Sequence, residues 1–138
     1  MKITTGMKKL LLDEIDYVIK NMKSTQEPGK KLYYFSAIYG CALRIINIEF
    51  DPELAFIHHV TNMAYGQINA SLSSVNKTGA TATIPENIFE SLEKALADLG
   101  KAIEANQKTY PILERIANIA YSSSGNGYYL YLKGILEL

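Results

Sequence analysis

Apolar side chains recur along most of this chain at helical spacing. Met7, Leu11, Ile15, Val18 and Met22 succeed one another at intervals of three and four residues, which lines one face of a helix. Lys9, Asp13, Asp16, Lys20 and Lys23 fall on the opposite face, with Asp16 and Lys20 spaced as an acid-before-base pair. Pro28 suits a first helical turn, and from there to Glu49 the apolar positions run nearly all round: Leu32, Tyr33, Tyr34, Phe35, Ile38, Tyr39, Leu43, Ile45, Ile46 and Ile48. A helix without a polar face is a buried one, so this second helix is expected at the middle of the fold. Its small residues Ser36, Ala37, Gly40 and Cys41 share a side that another backbone can approach closely.

Asp51-Pro52-Glu53 is a helix start: an acceptor at the N-cap, proline at the first position and a carboxylate near the positive end of the helix dipole. The third helix then carries Ile57, Val60, Ala64, Ile68, Leu72 and Val75 on one face. Asn76–Ala82 reads as a loop, and Thr83-Ile84-Pro85-Glu86 as a capping box. The fourth helix turns Ile88, Leu92, Ala95, Leu99, Ala102 and Ile103 inward. A fifth begins at Thr109-Tyr110-Pro111 with Leu113, Ile116, Ala117 and Ala120 on its inner side. Ser122–Gly127 breaks it, and residues 128–138 form either a last helical turn or an edge strand, helix being the expectation. Similar lengths and short connections predict an all-α, antiparallel up-and-down bundle of about five helices, with a short sixth at the C-terminus. With no linker in sight, residues 1–138 read as one domain.

Composition narrows the function classes. The chain has 138 residues, 48% of them hydrophobic, and 14 basic residues balance 14 acidic ones. A zero net charge speaks against a free-standing nucleic-acid binder. The charge is uneven, however. Between residues 32 and 75 only Arg44, Glu49, Asp51 and Glu53 are charged, so that block is expected to form the centre of a fold or interface. Residues 54–76 carry no Lys, Arg, Asp or Glu but many polar residues, chiefly Asn, Ser and His, unlike a membrane-spanning helix. Cys41 is the single cysteine, which suits a reducing, cytoplasmic setting. Leu10–Leu12 is too short an apolar run for a secretory signal.

Most candidate chemistry fails on spacing. His58 and His59 are the two histidines and neither follows a glutamate by three, so the carboxylate-bridged metal pattern of helical bundles is missing. Lys77-Thr78-Gly79 and Ser91-x-x-Lys94 lack the companions that nucleophilic serine chemistry needs. Ser122–Gly127 lacks the Lys-Ser/Thr of a phosphate loop. No metal, cofactor or catalytic residue is assigned.

Two features go beyond packing. His58, Asn62, Tyr65 and Asn69 share one face of the third helix, flanked by Thr61, Gln67 and Ser73; the face is polar yet uncharged, as interface cores are. Arg44 stands in an apolar helix with no acid three or four residues away, and a buried guanidinium demands a partner: an acid such as Glu14, Glu90 or Glu114, or an anionic ligand. If the second and third helices form a hairpin, Arg44 comes level with His58, and Cys41 with His59. The leading expectation is a non-catalytic interaction module that self-associates, as a dimer, or binds a protein through helices two and three. The competing one is a small enzyme or anion-binding protein with its site at Cys41, Arg44, His58 and His59.

Overall fold

In a computed structural model the described residues, 1–78 and 87–124 (side chains of 74–78 and 124 excepted), form an all-α bundle. Its helices are α1 (Thr5–Lys23), α2 (Pro28–Ile48), α3 (Pro52–Thr78), α4 (Ile88–Glu104) and α5 (Tyr110–Ser124). The Thr83–Glu86 capping box, the Ser122–Gly127 break beyond Ser124 and the 128–138 tail lie outside the described residues. No described helix is long and apolar enough to cross a membrane.

The caps follow from local chemistry. Thr4 accepts the Met7 amide at 3.3 Å to start α1. At α3, Asp51 Oδ1 accepts the Leu54 amide at 3.0 Å while the Asp51 carbonyl takes the Ala55 amide, the start its Asp-Pro-Glu sequence predicts. α4 ends at Asn106, whose φ of 55° is a left-handed conformation that asparagine tolerates well. Its amide reaches the Ile103 carbonyl and that of Gln107 the Ala102 carbonyl, a Schellman closure. Lys8 Nζ adds a cation to that negative helix end, bonding the Glu104 carbonyl and Asn106 Oδ1.

The helices close into a ring. α1 packs on α2 and α4, α2 also on α3, and α5 bridges α3 and α4. End-to-end contacts fix directions. Thr4 meets Glu49 and Lys31 meets the Met22 carbonyl, so α1 and α2 are antiparallel. Lys8 at the start of α1 meets the end of α4, so that pair is antiparallel too. Five is odd, so alternation cannot close the ring, and one neighbouring pair must be parallel. It is α3 and α5: Glu53 meets Thr109 at their starts and Ser71 meets Ser123 towards their ends.

The inward stripes are those the periodicity predicts. Leu11, Ile15, Val18 and Met22, Ile57, Val60, Ala64 and Ile68, the predicted α4 positions and the four of α5 are all buried. One expectation fails: α2 is a wall of the ring and not its middle. It buries Leu32, Phe35, Ile38, Cys41, Ala42 and Ile45, while Tyr33 is 70% and Ile48 71% exposed. A ring has no central position, so apolar residues beyond one stripe are left facing outward.

The parallel seam gathers two positive helix ends, and a buried acid sits between them. Glu53 is 4% exposed. Its Oε2 accepts the Thr109 amide at 2.8 Å and the Thr109 hydroxyl at 2.7 Å, and its Oε1 faces the Met1 α-ammonium at 3.2 Å. Residues 1–4 lie along the same end of the bundle, the Lys2 amide donating to Asp51 and the Thr4 amide to Glu49, each at 2.8 Å. Burial is the largest single influence on the Glu53 carboxyl and pushes its pKa up, yet the two Thr109 bonds and the ammonium together outweigh it and hold the carboxyl below its ordinary range. Asp51 is likewise lowered, its burial outweighed by the Lys2 and Leu54 amides and the ammonium.

A carboxyl whose folded value is depressed adds stability above its unfolded value and loses it as pH falls through the folded one. Thermal melts are therefore expected to fall most steeply below about pH 5, after a smaller decline from about pH 6.5 that a lowered His58 imidazole adds. Glu53→Gln should cost on the order of 2–4 kcal/mol at pH 7 and show a shallower acid decline. An unchanged melting temperature would contradict this account of the seam.

Candidate functional site: the outer faces of α2 and α3

On α3 the heptad-like spacing does place His58, Asn62, Tyr65 and Asn69 along one side, at the seam with α2. His58 and Tyr65 are half-buried, and Asn62 and Asn69 are exposed. Tyr39 of α2 wedges between the two rings, edge-on to His58 at 6.3 Å and to Tyr65 at 5.5 Å. These contacts bracket the height that a tight antiparallel hairpin gives Tyr39. Burial, then Tyr65, raises the Tyr39 phenol against a lowering by Ser36, while burial, then His59, lowers the His58 imidazole. Both shifts favour the uncharged forms of Tyr39 and His58. Gly40 and Gly66 each face open space, a built Cβ meeting nothing within 4 Å.

Thr61, expected beside this face, is buried, its hydroxyl donating to the Ile57 carbonyl at 2.7 Å. Helical neighbours point about 100° apart, and the two histidines part accordingly. His59 lies edge-on to Phe56, which reaches Tyr110 of α5 at 5.7 Å. His58 thus serves the α2–α3 seam and His59 the α3–α5 side.

Cys41 is buried on the side of α2 that faces α1, and Arg44 one turn on is exposed. Burial raises the thiol most, Glu14 raises it further, and Arg44 opposes both. Of the three acids considered for Arg44, Glu14 is the one beside it through Cys41, while Glu90 pairs with Lys94 at 3.6 Å. Among the described residues Arg44 has no ion-pair partner within 4 Å. Its exposure removes the premise that burial forces an acid or anion upon it. Tyr39 meets His58 from one flank of α2 while Cys41 looks towards α1 from the other, so the Cys–Arg–His set shares height but not a site.

Among the described residues no group of three or more His, Cys, Asp or Glu could hold a metal ion. Shallow clefts lie elsewhere: one of about 290 Å³ by Lys94, Arg115 and Asn118, another of about 210 Å³ by Lys23, Glu90 and Glu93. Sequence reasoning passed over Tyr39 as packing, although an aromatic level with the polar face of α3 signals its place here. No known protein family, curated protein or solved structure matches the chain.

Two outcomes check this geometry. Cys41 in the folded protein should react with a thiol reagent at pH 7 far more slowly than in denaturant, because it is buried and kept as the thiol. Arg44→Met should shift the stability of the separated chain by no more than about 0.5 kcal/mol, as exposed substitutions do, and inorganic phosphate should leave the wild-type melting temperature unmoved. A phosphate-dependent rise lost in the variant would restore the anion site.

Proposed function

We propose that the protein is a non-catalytic helical-bundle interaction module that self-associates, as an isologous dimer, through the outer faces of α2 and α3. The observation that carries this reading is the uncharged outer face of α3 beside an α2 face on which Arg44 is the one charge between Lys31 and Glu49. The ring cluster of Tyr39, Tyr65 and His58 lies between the open flanks of Gly40 and Gly66. Outside it, ion pairs stand on the solvent faces of α1 and α4, Lys9–Asp13 and Lys94–Glu90 among them. Charge depletion with retained aromatics and amides is the composition of interface cores, and a two-fold contact lets one such patch meet itself. The lone buried thiol of Cys41 suits a cytoplasmic setting.

Sedimentation equilibrium at micromolar concentration should report a dimer. Asn62→Lys and Gly66→Lys each place a charge in the face without touching the core. Gly66→Lys should even raise the stability of the separated chain, by about 0.5–1 kcal/mol from helix propensity. Both should weaken association at least roughly tenfold, the cost of desolvating an unpaired ammonium. A wild-type protein that stays monomeric at these concentrations would overturn the reading.

A further inference from the structure

We infer that two copies of the chain meet with their α2 helices antiparallel across a two-fold axis near Gly40 and Leu43, where Glu14 of each protomer pairs with the partner's Arg44. This rests on the self-association proposed above and fixes its register.

Three observations lead there. First, large apolar side chains exposed among the described residues are concentrated in one stretch: Leu10, Tyr17, Tyr33, Leu43, Ile48 and Phe50 are 42–71% exposed, and Tyr110 alone lies elsewhere. All six belong to α1, α2 and the turn after it, so α2 is the ridge of the most apolar side. Second, Gly40 on that ridge has open space where a side chain would stand, which lets a facing backbone come close.

Third, the charges on this side are complementary and unpaired. Neither Glu14 nor Arg44 has an ion-pair partner among the described residues, though both stand close enough to Cys41 to act on its thiol. The Thr4–Glu49 and Lys31–Met22 contacts set the α1–α2 register so that Glu14 is level with Tyr39. Arg44 lies five residues further along α2, an offset of about 7.5 Å at 1.5 Å per residue. Within one chain the two form no ion pair. A two-fold axis halfway between their levels, at Gly40–Leu43, reverses height while keeping α1 over α1, and so brings each acid level with the other protomer's guanidinium. The exposed apolar residues then surround the ion pairs and exclude water, and the pairs set direction and register.

Sedimentation equilibrium on two charge reversals tests this, with circular dichroism melts confirming that each variant folds. Glu14→Arg sets two guanidinium groups against each other across the interface, and Arg44→Glu sets two carboxylates against each other, so each variant alone should be monomeric where the wild type is dimeric. Mixed in equal amounts they should form a heterodimer, since each reversed residue then meets its opposite. The charges within each chain still repel in the mixture, so only pairing between chains can restore association. If a reversal fails to fold, Glu14→Gln and Arg44→Gln replace it. Each should weaken the dimer by roughly tenfold, and the double variant should be no weaker than either single. A wild-type dimer whose reversals stay dimeric, or whose mixture stays monomeric, overturns this register while leaving self-association standing. A monomeric wild type overturns both.

Discussion

The carboxylate of Glu53 is the constraint on which the rest of this bundle depends. Two helices that start side by side and run the same way bring their positive dipole ends together, and the buried amides of both starts need acceptors. Glu53, in the first turn of α3, reaches the backbone and hydroxyl of Thr109 at the start of α5 and supplies negative charge to both ends at once. Buried acids are costly unless bonded and balanced. Here the bonds come from the neighbour that creates the need.

That parallel seam follows from number alone, since five alternating helices cannot close a ring. The ring in turn explains the surface. Each helix has two neighbours and one outward side, and the apolar sequence of α2 exceeds what one inward stripe absorbs. Its surplus stands in solvent as Tyr33, Leu43 and Ile48. In the proposed dimer a second copy would cover that surplus, with the uncharged face of α3 beside it.

Local structure was legible in the sequence wherever local chemistry decides it. Asp51-Pro52-Glu53 announces the start of α3, and the inward residues of α1, α4 and α5 are those their spacing names. Arrangement was not legible. Reading α2 as central assumed that an apolar helix is surrounded, a condition set by neighbours and not by its own pattern. The supposed burial of Arg44 fell with it. Glu53 was understood by half, as a charge at one helix end, because the second end arrives with Thr109, 56 residues away. A hairpin fixes only the heights of His58 and His59, and rotation separates them, His58 meeting Tyr39 and His59 meeting Phe56.

The closed ring also bears on how the chain reaches its fold. The α1–α2 and α2–α3 seams join segments adjacent in sequence, as does α4–α5, and such hairpins form after short loop closures. The α1–α4 seam, where Gly100 faces Leu12 and Ile15, joins segments separated by the whole of α2 and α3. Its closure carries the larger entropic cost. The ring is therefore a latch between two preassembled hairpin units, and local opening under mild stress should begin where α1 meets α4.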